Sequence, residues 1–187
     1  MDDSPTREAV VPRLRGRFGR PYIYTERCPS TQRLLDRDAP EGALAVANEQ
    51  TEGRGRLGRR WDAPAGTSIL CSLALRPSVD PERLPELTRV AAEACAEAIA
   101  AITGLEPELK DPNDVLVHGR KVAGILAEAG EGRVLLGVGV NVNVVEPDLP
   151  TDNATSLLVE TGNPVDRREL LAELLDRLER RYNAWND

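Results

Sequence analysis

Between Gly53 and Trp61 the chain reads GRGRLGRRW, so that Arg54, Arg56, Arg59 and Arg60 are interleaved with Gly53, Gly55 and Gly58. Glycine lets a backbone come close to a ligand and turn its N–H groups toward it. Such groups can cradle an anion, and arginine adds a planar fork that matches phosphate or carboxylate. Trp61 ends the run with an apolar wall. The same composition also suits a solvated loop or an arginine-glycine contact to nucleic acid. The spacing is not that of a P-loop, because G-x-x-x-x-G-K-[ST] is absent. Two further stretches carry suitable residue types: KDPNDVLVHGRKVAGIL, from Lys110 to Leu126, and GVGVNVN, from Gly137 to Asn143.

The whole chain constrains what this cluster does. It has 187 residues and a formal charge of −7. An acidic chain argues against nucleic acid binding by its general surface, so an anion site has to be local. Of its 24 basic residues only Lys110 and Lys121 are lysine, and both fall in the second stretch. A compact ammonium kept among arginines points to a site needing a point charge, although lysine at a strand end commonly just reaches for solvent. The small pair Ala123-Gly124 beside Lys121 leaves room for a ligand. His118 reads as an exposed turn residue. Three cysteines, Cys28, Cys71 and Cys95, lack metal-ligand spacing and read as reduced thiols of a cytoplasmic protein. The N-terminus has no apolar signal core, and no apolar run is long enough to span a bilayer.

The elements that hold these residues follow from periodicity. Strands are expected at 21–26, 43–50, 67–75 and 133–144, with a hairpin over 115–129 turning at His118-Gly119. A short helix is expected at 30–37, with Ser30 and Thr31 available as caps. Leu84, Leu87, Ala91, Ala94, Ala98, Ile99 and Ile102 recur at helical spacing, which predicts an amphipathic helix over 81–103 closed by Gly104. A second long helix is expected at 166–185, with Asp166 and Glu169 as a capping box. The sum is one domain of α+β class, a sheet backed by helices.

Taken in order, STQ (30–32), EQTEGRGRLGRRW (49–61), KDPND (110–114), GRKVAGILAE (119–128) and GVGVNVN (137–143) resemble the biotin protein ligase family over roughly residues 22–185. The resemblance implies a mixed, mostly antiparallel sheet of the biotin/lipoate ligase-like, class II synthetase-like fold. It implies a reaction in two steps. ATP and biotin give biotinoyl-adenylate and pyrophosphate, with Mg²⁺ assisting. A lysine of a biotin carboxyl carrier domain then takes the biotinoyl group and releases AMP. By the same resemblance Ser30, Thr31, Gln32 and Gln50 would bind the biotin ring and the backbone of Arg54, Gly55 and Arg56 its carboxylate, with Gly53 also at the biotin site and Trp61 as a wall. Arg54 and Arg56 would meet phosphate, Arg59 the outer phosphates, and Lys121 the oxygens that carry charge during adenylation. Lys110, Asn113 and Asp114 would organise ATP and metal, and Asn141 would sit near adenine. Asp111 stands where the family has an aromatic residue, and a partly exposed side chain is expected there. An N-terminal helix-turn-helix and a C-terminal β-domain are expected to be absent, DNA is not an expected partner, and a homodimer paired through the long strand at 133–143 is conceivable. A lipoate or octanoate ligase-like enzyme, or a biotin-binding module without turnover, would share much of this pattern.

Overall fold

A computed structural model describes residues 2–187. Its centre is one seven-stranded sheet: β1 (Tyr22–Cys28), β2 (Leu44–Gln50), β3 (Ser68–Leu75), β4 (Glu108–Lys110), β5 (Asp114–Val117), β6 (Arg120–Gly130) and β7 (Arg133–Asn141). The strand order is β1-β2-β3-β7-β6-β5-β4. Among the strands, β1 and β2 run parallel and the other strand pairings are antiparallel. The four helices are α1 (Arg7–Val10), α2 (Glu86–Thr103), α3 (Leu157–Thr161) and α4 (Arg167–Asn186). This is the α+β class read from the sequence.

Strand alternation divides the two faces. Ile69, Cys71, Leu73 and Leu75 of β3 and Leu136, Val138 and Val140 of β7 join the main core, together with Leu87, Ala91, Ala98 and Ile99 of α2 and Leu171, Leu174 and Leu178 of α4. The opposite face carries a small apolar cluster of Leu35, Ala43, Ala45 and Ala74. Beyond that cluster it carries Ser72, Gly124, Gly137 and Gly139 beside Leu126, and the site forms there. Burial pushes the Cys71 and Cys95 thiols up to about 12, so both stay protonated.

Both long helices form as expected. Gly104 closes α2 in the left-handed region at φ 73°. Asp166 caps α4 by accepting from the Arg168 and Glu169 amides. Pro81–Arg83 makes a separate 3₁₀ turn before α2 begins. At the other end of the chain, Arg167 is buried in an ion pair with Asp3 at 2.7 Å and also donates to Asn48 and to the Ser68 carbonyl.

Three expectations are corrected. The helix at 30–37 is only a 3₁₀ turn, Thr31–Leu34, and Ser30 makes no side-chain cap bond. The Thr31 hydroxyl is instead 2.7 Å from the Ser72 hydroxyl and 3.1 Å from Gln50 Oε1, so tertiary contacts outcompete capping. The long strand ends at Asn141 rather than 144, because the Val142 and Asn143 amides turn to the Thr67 carbonyl. That strand also lies between β3 and β6. Both of its edges are used, so it cannot join two copies edge to edge; the free edges belong to β1 and β4.

Glu179 of α4 receives the backbone N–H groups of Arg17 and Phe18, each at 3.0 Å. Glu179→Ala removes the acceptor of two sequestered amides and should lower stability by about 2–3 kcal/mol. Thermal unfolding checks this, and Glu179→Gln, which keeps one carbonyl oxygen, should lose visibly less.

Candidate functional site

The polar face of the sheet floors a cavity of about 330 Å³. Its base is a window in which side chains are missing. Gly124 of β6 is registered opposite Gly139 of β7, with Leu126 opposite Gly137 beside them. The Trp61 indole lies across this window. A methyl at Gly139 would come within 2.5 Å of Trp61 Cε2, and one at Gly124 within 2.8 Å of Cζ3. Any larger residue at either position would therefore lift the indole off the sheet. Of the small pair foreseen at 123–124, only Gly124 faces the cavity; Ala123 points into the core.

The polar end of the cavity is built by the 3₁₀ turn. Gln50 Oε1 accepts from the Thr31 amide at 2.8 Å, which fixes the turn against β2. Ser30, Thr31 and Ser72 line this end. Gln32 is 7% exposed, and neither its Oε1 nor its Nε2 has a hydrogen-bond partner among the described residues. A buried primary amide left this way costs free energy until something supplies its bonds. Its neighbours are the cavity and Gly137, whose missing methyl would lie 3.6 Å from Nε2.

The arginine-glycine segment folds over the cavity as a narrow loop. Its base is tied by the Trp61 amide donating to the Gly53 carbonyl at 3.0 Å and by the Gly55 amide donating to the Arg59 carbonyl at 2.8 Å. A methyl at Gly53 would strike the Trp61 carbonyl, so Gly53 closes the loop and does not line the cavity. Leu57 sits at the tip, 87% exposed and at φ 57°. Arg54 forks onto Glu128 of β6, with nitrogen–oxygen distances of 2.8 and 3.0 Å. Arg56 reaches Asn113 Oδ1 at 3.3 Å. Arg59 and Arg60 both line the mouth, Arg60 while pairing with Asp62 and donating to the Thr51 carbonyl.

Opposite the loop stands Lys121, at the start of β6. Its Nζ is 2.7 Å from Asp114 Oδ1, an ion pair lying off the line of a good hydrogen bond, and 5.5 Å from the Trp61 ring centroid. Asn113 is held in place by donating to the Ile125 carbonyl. Lys110 and Asp111 border the mouth. The Asp111 side chain is 77% exposed and 3.7 Å from Arg89, in line with the expectation of a solvent-facing residue.

Thirteen of the fifteen residues singled out from the sequence thus border one cavity. The two exceptions are Gly53 and Asn141. Asn141 is 2% exposed, outside the cavity, and donates to the Thr155 carbonyl at 3.0 Å. Its Oδ1 is buried with no hydrogen-bond partner among the described residues. Arg54 borders the cavity with its guanidinium paired to Glu128. Gly124 stands out in the sequence as leaving room for a ligand, whereas Glu128, Ser72, Gly137 and Gly139 do not stand out as site residues. Alternation from Gly124 through Leu126 sets Glu128 on the cavity face. Gly137 and Gly139, two apart, give the same signal on β7.

The geometry describes a chamber for an elongated ligand, with a neutral polar end at Gln32 and a cationic end under the loop. The biotin/lipoate A/B protein ligase family profile matches residues 24–144, and the chain belongs to that family. Its relatives point to the biotin branch. It is 41% identical over 180 residues to the bifunctional ligase/repressor BirA of Bacillus spizizenii, covering 90% of this chain and 55% of that protein. It is 38% identical over 151 residues to the biotin–[acetyl-CoA-carboxylase] ligase of Mycobacterium tuberculosis, covering 79% and 56%. Among solved structures, the Aquifex aeolicus biotin protein ligase in complex with biotin and ATP superposes with a TM-score of 0.79 at 35% identity, covering 88% of this chain and 71% of that one. The chain spans about half the length of the curated relatives it matches.

The window makes a direct demand. Gly139→Ala should displace the indole from the sheet and expose it to water. With Trp185→Phe removing the other tryptophan, the remaining emission should shift to longer wavelength and become more accessible to a soluble quencher; unchanged emission would contradict the contact.

Proposed function

We propose that this protein activates biotin with ATP as biotinoyl-5′-adenylate and passes the biotinoyl group to a lysine of a biotin carboxyl carrier domain, acting as a single catalytic unit. The observation that carries this reading is the orphaned amide of Gln32 at the neutral end of the chamber. A primary amide with a donor and an acceptor both unused fits a ligand offering an acceptor and a donor side by side. The cyclic urea of biotin offers that pair, and the dithiolane ring of lipoate does not. Ser30, Thr31 and Gln50 form the polar setting of this end, and Trp61 covers the apolar chain between the two ends.

At the cationic end, two anions have to approach each other. A carboxylate oxygen of biotin attacks the α-phosphorus of ATP, the bond to the bridging oxygen breaks, and pyrophosphate leaves. Lys121, Arg56, Arg59 and Lys110 supply positive charge where negative charge accumulates. Gly55 lines the cavity, but its amide is given to the Arg59 carbonyl, so the carboxylate would be met by the side chains of Lys121 and Arg56 rather than by this backbone. In the second step a neutral lysine amine of the acceptor attacks the acyl carbon. The carbon–oxygen bond to phosphate breaks, AMP leaves, and the amine gives up its proton. The loop, held by Arg54 on Glu128 and by Arg56 on Asn113, keeps water from the mixed anhydride meanwhile.

Mg²⁺ typically takes one or two carboxylates and binds chiefly through substrate phosphates. Asp114 and Asp111 at the mouth suit that mode. Among the described residues no group of three or more His, Cys, Asp or Glu side chains could hold a metal without the nucleotide. When bound, the ion would screen the phosphate charges.

The direct test is transfer: purified protein, biotin and ATP should attach biotin to a lysine of a carrier domain, read by avidin blot. Attachment of lipoate instead, or biotin binding with no transfer, would overturn the reading. Two substitutions sharpen it. Gln32→Leu keeps the bulk and removes the amide, so biotin affinity should fall about tenfold or more, the cost of roughly 1–3 kcal/mol for losing a buried polar partner. Binding to wild-type strength would sink the role of Gln32. Lys121→Ala should lower the adenylation rate by about a hundredfold while biotin binds within a few-fold of normal, as for removal of one transition-state charge partner. Near-normal turnover would remove Lys121 from the chemistry.

A further inference from the structure

Lys121 stands where the sheet runs out of its regular partner. The register of β6 with β7 begins at Ala123 opposite Val140. Continued by two residues, it would set Val142 opposite Lys121. Val142 has left the sheet, however: its amide goes to the Thr67 carbonyl and its carbonyl accepts from the Leu158 amide. A different piece of chain fills the gap. The Lys121 amide donates to the Asn153 carbonyl at 2.8 Å, and the Thr155 amide donates to the Lys121 carbonyl at 2.8 Å, forming a parallel bridge. The backbone of the cationic residue is thus fixed on that side by three residues that belong to no strand of their own.

Glu160 ties this segment down through Thr155, whose carbonyl also accepts from Asn141. The Glu160 side chain is 5% exposed and gathers three side-chain donors, two from the turn at 118–120 and one from Thr155. The Thr155 hydroxyl donates to it at 2.5 Å, Arg120 at 2.8 Å, and His118 Nδ1 lies 2.6 Å away. A carboxylate only accepts, so the His118 proton is on Nδ1. Burial pushes the Glu160 carboxyl up, but the bonds from Thr155 and His118 and the adjoining Arg120 outweigh it and hold it below the usual carboxylate range. Arg120 and His118 flank Lys121 on its turn side, and Thr155 flanks it through the bridge. One carboxylate therefore grips both approaches to Lys121 without touching the cavity.

We infer that Glu160 is a positioning residue for Lys121, acting through Thr155 and the 153–155 segment. The inference rests on the reading of Lys121 as the cation of the adenylation step. Loss of the brace lets the start of β6 move, and displacement of a group that meets charge only in the transition state lowers turnover more than ground-state binding. Nothing at the polar end of the chamber depends on Glu160.

The test uses Thr155→Val, which removes only the hydroxyl, beside Glu160→Ala. Each should lower kcat for biotin-dependent ATP–pyrophosphate exchange about five- to tenfold, with the KM for biotin unchanged within about twofold. In a Lys121→Ala background neither should cost anything further, because the group being positioned is gone. Hydrogen exchange gives a readout independent of activity: the Lys121 amide should lose protection in Thr155→Val. A kcat within about twofold of wild type, or an equal loss with and without Lys121, would overturn the inference. If Glu160→Ala does not fold, Thr155→Val decides alone. If Lys121→Ala itself keeps near-normal exchange, the reading of Lys121 fails, and the amide protection still reports whether the brace exists.

Discussion

The structure depends on a patch of sheet without side chains. Gly124 and Gly139 face each other across β6 and β7, with Gly137 next along. Everything on the functional side is arranged around the hollow they leave. The other side of the same strands is filled with Ile125, Leu136, Val138 and Val140, packed into the core against α2 and α4. A strand normally weakens when it gives up side chains. Here the loss falls on one face only, and the buried face keeps the register. That division lets a wide aromatic ring and a ligand share a surface that a single methyl would obstruct.

A second constraint is electrostatic. The chain carries −7 overall yet sets six of its 24 lysines and arginines, both lysines among them, around one cavity. Most of these cations already have a polar partner: Arg54 has Glu128, Lys121 has Asp114, and Arg56 has Asn113. Exposed pairs of this kind contribute about 0–1 kcal/mol each. Little is lost when an anionic ligand takes a partner's place, and the ties still hold the loop near its working position beforehand. A buried, fully desolvated pair would make that exchange far more costly.

Much of this was legible in the sequence, for identifiable reasons. The long helices announce themselves by period and caps, and the turn at His118-Gly119 by its residue types. The site residues sit in short blocks whose chemistry is local. Three features were not legible. The stretch at 30–37 has helix-like composition, but Thr31 is drawn into bonds with Gln50 and Ser72, partners 19 and 41 residues away. Asn141 looks like a ligand contact or a strand-end cap, yet it is buried outside the cavity and its amide goes to the Thr155 carbonyl, 14 residues on. Arg54 pairs with Glu128 across 74 residues. Each miss is a long-range contact that overrides a plausible local reading, and no spacing rule reports such contacts. Alternation along β6 gave the face of Glu128 but not the residue it would meet.

The central claim is that the two ends of one chamber bring biotin and ATP together. Biotin-dependent exchange of labelled pyrophosphate into ATP measures that step without an acceptor protein. The account predicts exchange that requires both biotin and ATP and is not supported by lipoate. Exchange driven equally by lipoate, or biotin binding with no exchange, would contradict it.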